Sequence, residues 1–455
     1  MRRALLRAFF WTIAAAPFLA SGLHAQTLDQ TLGGCNGVAP LRTIQANPST
    51  YKNLLTTLLP GDRLLLAPGT YTQQLRFSNK NGQPGKCIVI EGPATGTPAL
   101  FTGSSTYNTI SLANVSYMVF RNLKLDGKHL LGDGVKVEAT SSYAHHVTLE
   151  NLHLVNYDES LQRVGINTKS KAWNFVIRNN VIERAGLGMY LGKSDGTGEF
   201  VNSLIEHNVV HGSMLYNVQI KHQLSRATSL GIPSSGTTII RHNVFSKETG
   251  SATGADSRPN LLVGHWPLSG AGSTDVYQIY GNLFHENPSE ALFQGEGNIA
   301  LHDNLFVSRG PRAVRIQKHN NLPRRIDIFN NTVMSPTEGI VIYNGDPAYP
   351  QRVSGNLVFS AQPLVGGLQV GNLTGVYSAA PQYLNNPLGS LTAGTLDLFP
   401  IAGRALGIAV DLSLFAGFLD WDKDFNGFPK LTTYRGAYSD DGVNPGWQPA
   451  LAVKP

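Results

Sequence analysis

Ile240-Arg241-His242-Asn243-Val244 restates, with one or two changes, a phrase that runs through most of this chain. The pattern is apolar-x-apolar-x-x-Asn-apolar-x-apolar. It recurs as Val119-Phe120-Arg121-Asn122-Leu123, as Ile205-Glu206-His207-Asn208-Val209 and as Ile328-Phe329-Asn330-Asn331-Thr332. The asparagines of the series are Asn122, Asn151, Asn180, Asn208, Asn243, Asn282, Asn304, Asn331 and Asn356, separated by 29, 29, 28, 35, 39, 22, 27 and 25 residues. A period in the twenties with occasional long insertions is the signature of a β-solenoid. Short strands of one coil pair with those of the next about 4.8 Å away, and inward side chains stack into one apolar column. Asparagine suits the bend because it tolerates left-handed backbone angles, and its amide can bond to those above and below. The nine asparagines therefore predict an internal ladder.

A further strand follows in each coil, usually opened by a small residue, as in Gly165-Ile166-Asn167-Thr168-Lys169 and Asn217-Val218-Gln219-Ile220-Lys221. If the second member points inward, the third and fifth face solvent. Both solenoid ends need closing. Leu54, Leu55, Leu58 and Leu59, behind Ser49-Thr50, predict a short amphipathic helix over the first coil. Residues 1–25 read as an export signal, 26–62 as a leader with the capping helix, 63–384 as the parallel β-helix and 385–455 as an irregular C-terminal cap.

The export reading rests on Arg2, Arg3 and Arg7 ahead of an apolar run from Ala8 to Ala20, with a cleavage site after Ala25. That run is too short to favour a membrane span. Its removal lowers the formal charge from +6 to +3, too little to argue for nucleic acid. The mature chain is expected to be a secreted or periplasmic monomer. An oxidising compartment permits Cys35 and Cys87 to pair and staple the N-terminal end.

Pro60-Gly61-Asp62-Arg63-Leu64 through Pro68-Gly69-Thr70-Tyr71, with the asparagine-punctuated coils behind it, resembles the pectate-lyase-like superfamily. Within it the chain looks most like the chondroitinase-B and alginate-lyase group, over roughly Thr43 to Ser360. The resemblance implies an all-β, right-handed parallel β-helix acting on an acidic polysaccharide, with calcium a possible cofactor. The chain departs from these relatives where they carry their chemistry. The Lys and Arg beside a calcium held by Asn and Glu do not align as a set. The Asn-Thr-Asp, Asp-Asp and Gly-His-Gly signatures of polygalacturonases and the Asp-Pro-His-Asp signature of mannuronan epimerases are missing.

Eliminative cleavage of a uronate removes the C5 proton, so a site must neutralise the carboxylate, supply a base and protonate the leaving oxygen. The middle coils offer Lys221, His222, His265, Arg315 and Lys318 as acid, base and carboxylate-binding groups. Lys169, Tyr190, Lys193, Gln219, Trp266, Phe293, Glu296, Gln317 and His319 are expected to contact substrate. Stacked in order, the catalytic set spans about three rungs, or about 15 Å. Gly264 and Gly295 would leave a trough beside it, lined by Tyr190, Trp266 and Phe293. Asp420-Trp421-Asp422-Lys423-Asp424-Phe425-Asn426-Gly427 resembles the opening of a calcium loop, but Thr433 stands where the closing glutamate belongs, and a structural turn is favoured. The leading expectation is a polysaccharide lyase. A hydrolase needs two suitably spaced carboxylates, for which Glu290 and Glu296 are poor, and an epimerase or a non-catalytic glycan-binding solenoid are the other readings.

Overall fold

The computed structural model describes residues 32–35, 37–138 and 141–455, so the expected export signal lies outside the described residues. The repeat folds as a right-handed parallel β-helix with three strands per coil. One coil runs Val176–Arg178, Val181–Ala185 and Leu187–Leu191, and the next Leu204–Glu206, Val209–His211 and Val218–Ile220. Their registers, Ile177 over Ile205, Ile182 over Val210 and Met189 over Val218, stack aliphatic side chains in the interior. The repeated phrase thus contains two strands, in what we call the first and second sheets, and the strand opened by a small residue belongs to the third. The small residue is required there: a Cβ on Gly188 would lie 2.4 Å from the Asn217 carbonyl oxygen.

The ladder exists, shifted from its expected extent. Asn180, Asn208, Asn243, Asn282, Asn304, Asn331, Asn356 and Asn372 pass an Nδ2–H to the next Oδ1 at 2.9–3.0 Å. Asn122 and Asn151 are not rungs. They stand one position earlier, in an outer column with Asn179, His207, His242, Gly281, Asp303, Asn330 and Gly355, where φ is 49–66°. Leu123 and Leu152 take the rung position in those coils, and Leu152 N–H donates to the Asn180 Oδ1 at 2.9 Å. Both columns favour asparagine, one for its amide and one for its tolerance of positive φ, so neighbouring asparagines are hard to assign by spacing.

One end of the first sheet alternates in charge. Glu91, Arg121, Glu150, Arg178, Glu206 and Arg241 are in register on successive coils. Arg121, Arg178 and Arg241 reach the preceding carboxylates at 2.8, 3.0 and 2.8 Å. At the N-terminal end Tyr51–Leu54 and Leu55–Thr57 form the expected cap. Tyr51, Leu55 and Leu58 are buried, while Leu59 is exposed, and the Asn47 side chain accepts from Ser49 and Thr50 N–H. Cys35 and Cys87 form a disulfide.

Residues 385–455 are irregular and run back along the outside of the solenoid. Phe399, Phe425 and Tyr438 bury against Val244, Leu283, Leu305 and Leu357. Gly281 in the outer column leaves a slot filled by Lys454, whose fully buried Nζ donates to the Gly281 and Phe425 carbonyls at 3.0 and 2.6 Å. Asp424 of the suspected calcium loop accepts backbone N–H from Asn426, Phe428 and Ser439, which makes it a turn anchor.

Candidate functional site

The outward column of the third sheet reads Lys136, Asn167, Tyr190, Gln219, Leu262, Gln294 and Arg315. Beyond each strand the chain turns out again. Thr168, Leu191 and Ile220 are in register, so the residues after them, Lys169, Gly192 and Lys221, form a second column, in which Lys169 is exposed and Lys221 half-buried. Gly192 lacks a side chain between two lysines, and a Cβ there would stand 3.4 Å from that of Lys221. Both ammonium groups lean over the Tyr190 ring, Lys169 Nζ at 5.0 Å and Lys221 Nζ at 5.5 Å from its centroid. Cation–π attraction holds two like charges near one phenol that neither would approach for the other's sake.

Around this trio lies a cleft of about 240 Å³ lined also by Gln162, Gln219, Tyr216 and Arg258. Val164, Leu187 and Leu215 form its apolar floor. Arg258 rides on the insertion after Ser246, and its carbonyl is tethered by the buried Lys247 Nζ at 2.6 Å and Asn287 Nδ2 at 2.8 Å. Among the described residues the lining contains three cations and no carboxylate. Nearby acids are occupied elsewhere: Asp133 accepts from Val164 N–H and Asn167 Nδ2, Asp195 pairs with Lys193 at 2.6 Å, and Glu290 lies 3.7 Å from Arg312.

Burial, then the neighbouring Lys169, pulls Lys221 below the ordinary lysine value. Burial likewise lowers Lys169 and raises the phenols of Tyr190 and Tyr216. The site therefore holds an amine eased toward its neutral form and phenols that keep their protons. A calcium ion does not fit this lining, because such an ion takes oxygen ligands rich in carboxylate. Among the described residues no cluster of three or more His, Cys, Asp or Glu could hold a metal.

Of the residues singled out from sequence, the structure brings together Lys169, Tyr190, Gln219 and Lys221. His222 stands next to them outside the lining, half-buried, its pKa lowered by burial and then by Lys221. Several others are elsewhere. His265 is fully buried, its ring nitrogens facing the Trp266 and Leu322 carbonyls. Trp266 lies in the core, stacked on Tyr277 at 4.2 Å. Phe293 and Gly295 also point inward, in register with Leu261 and Val263. Glu296 is fully buried and accepts N–H from His319, Asn320 and Asn321, so it fastens a loop and cannot meet substrate. Arg315 faces solvent three rungs from Gln219, about 14 Å along the axis, where it lies 3.5 Å from Glu338 and over the Tyr343 ring. Lys318 and His319 are exposed on the loop held by Glu296, Gln317 is half-buried beside them, and Lys193 is engaged with Asp195. Gln162, Tyr216 and Arg258 went unrecognised. The signal for two of them was the pair of long insertions between Asn208 and Asn282, which wall the cleft.

No protein-family model matches the chain, and no curated protein matches it. Solved structures do. The family 6 alginate lyase AlyGC shares 15% identity over 73% of this chain with a TM-score of 0.44, and this chain spans about half of its length, 51%. A mannuronic-acid-specific family 6 lyase from human gut microbiota shares 15% over 72% of this chain and 82% of its own, with a TM-score of 0.45. Pectate lyase Pel9A shares 15% over 90% and 93%, with a TM-score of 0.39.

Proposed function

We propose that the cleft over Tyr190 binds a uronate-containing polysaccharide and cleaves it by β-elimination. The observation that carries this reading is a lining with Lys169, Lys221 and Arg258 and, among the described residues, no acid. Such a lining attracts a carboxylate and lacks the paired carboxyl groups of a glycoside hydrolase. Lys169 and Arg258 neutralise the substrate carboxylate, which acidifies C5–H. Lys221, as the free amine, takes that proton. The C5–H electrons form the C4=C5 double bond while C4–O4 breaks, and the Tyr190 phenol protonates O4. Water is not consumed, and the new end is an unsaturated uronide. The Cys35–Cys87 disulfide fits a working place outside the reducing cytoplasm. No described helix is long and apolar enough to cross a membrane.

The test is a panel of polymannuronate, polyguluronate, polygalacturonate and chondroitin chains, followed by ultraviolet absorbance of the unsaturated product. Absorbance that grows with the parent and is abolished in a folded Lys221→Ala variant supports the reading. New reducing ends without absorbance would make the protein a hydrolase. Binding without any product would make it a glycan-holding solenoid.

A further inference from the structure

Among the described residues the far end of the solenoid is largely uncovered. Gln362–Val365, Leu368–Val370 and Leu373–Gly375 are the last strands of the third, first and second sheets. Each pairs on one edge only, with Glu338–Ile342, Gln351–Ser354 and Leu357–Phe359. Residues 366–371 are all exposed, Leu368 at 65% and Val370 at 45%. Pro363, Leu364, Gln369, Gly371, Asn372 and Thr374, drawn from all three sides, line a hollow of about 360 Å³ across this end. The C-terminal segment from 385 packs mainly along the flank and reaches this end at Gly371, where Val410 and Arg435 stand close.

An unpaired edge is a template for another strand, and proteins guard such edges with charge, proline or a covering segment. Here the stretch from Val353 to Leu396 contains no Asp, Glu, Lys, Arg or His. The one guard is Pro363 in the third-sheet strand, a residue with no N–H to offer. Among the described residues the first-sheet edge is covered only at its corner, where Val410 stands against Gly371, and the second-sheet edge has no guard.

We propose that this end is a self-association surface on which two copies of the chain meet end to end about a two-fold axis. A charge-free edge can face its own copy without setting like charges against each other, as a two-fold contact requires. An axis through the third-sheet side places Pro363 against its counterpart, where no N–H is wanted. The same axis sets Leu368–Val370 of one copy antiparallel to Leu373–Gly375 of the other, twice. The opposite end is closed by Tyr51–Leu54 and Leu55–Thr57, so the contact stops at two copies and does not propagate into a fibre. This replaces the monomer expected from sequence.

The test is the sedimentation-equilibrium mass of the full chain over a wide concentration range, for the parent and two double variants. In the antiparallel register Gln369 of one copy opposes Thr374 of the other. Q369E/T374E therefore opposes like charges twice, and Q369K/T374E opposes unlike charges twice. The expected masses are twice the chain mass for the parent and for Q369K/T374E, and a single chain for Q369E/T374E, with all three sharing one circular dichroism spectrum. A monomeric parent at every concentration overturns the proposal. A dimeric Q369E/T374E places the contact elsewhere and overturns it too, as does a folded but monomeric Q369K/T374E. Hydrogen exchange on a monomeric parent would show whether another part of its own chain covers residues 366–371.

Discussion

Replacing Asn282 by alanine removes five hydrogen bonds from the middle of the ladder. Its Oδ1 accepts from Asn243 N–H and Nδ2 at 2.9 Å each, and its Nδ2 donates to Ile240 O, Tyr280 O and Asn304 Oδ1. Asn282 is fully buried, so no bulk water replaces these partners. Counting the Asn243 N–H and one carbonyl as orphaned, at roughly 1–3 kcal/mol each, gives about 4 kcal/mol. With about 2.1 cal/mol/K of unfolding entropy per residue and about 400 ordered residues, that lowers the melting midpoint by about 4–5 °C. Asn122, outside the ladder and partly exposed at φ 58°, provides the control. Asn122→Gly keeps the left-handed conformation and should change stability by no more than about 0.5 kcal/mol. Calorimetry on the two variants checks the pair. A midpoint for Asn282→Ala within a degree of the parent, or equal losses in both, would refute the assignment of ladder and outer column.

Lys169→Gln removes the cation that helps to depress Lys221, so the acidic limb of kcat/KM, where the free amine is lost, should move to higher pH, read from rate profiles on the best substrate of the panel. An unmoved limb would remove Lys221 as the titrating base. Cys35→Ser with Cys87→Ser opens a loop of sequence separation 52, worth up to about 4 kcal/mol of chain entropy. Limited proteolysis should then cut near residues 37–41 while cleft activity persists. Lys454 is pulled down to about 7, by burial above all. The unfolded chain therefore binds the extra proton between about pH 7 and pH 10.5. That penalty is full below pH 7 and is relieved as pH rises through the window, so Lys454→Met should flatten the rise of the melting midpoint there.

The period of the asparagines exposed the coil because every coil must turn at the same place, whatever else it carries. Phase was harder to read. Third-sheet strands of three to five residues give alternation too little length to settle which member points inward, and left-handed residues at corners such as Glu286 reset it. Phe293 and Gly295 were misplaced for that reason. Lys169, Tyr190, Gln219 and Lys221 were recoverable because all four follow directly from strands whose register the repeat sets. Arg258 and Tyr216 arrive on insertions, whose path depends on tethers such as Lys247 that no periodicity announces. Glu296 looked available by column, yet three backbone N–H groups of a loop more than twenty residues away claim it.

Cleavage in heavy-oxygen water tests the central claim most directly, because elimination at the Tyr190 cleft consumes no water. Mass spectrometry of the products should find no heavy oxygen at either new end and an unsaturated uronide at one of them. Incorporation of heavy oxygen at the new reducing end would contradict the account.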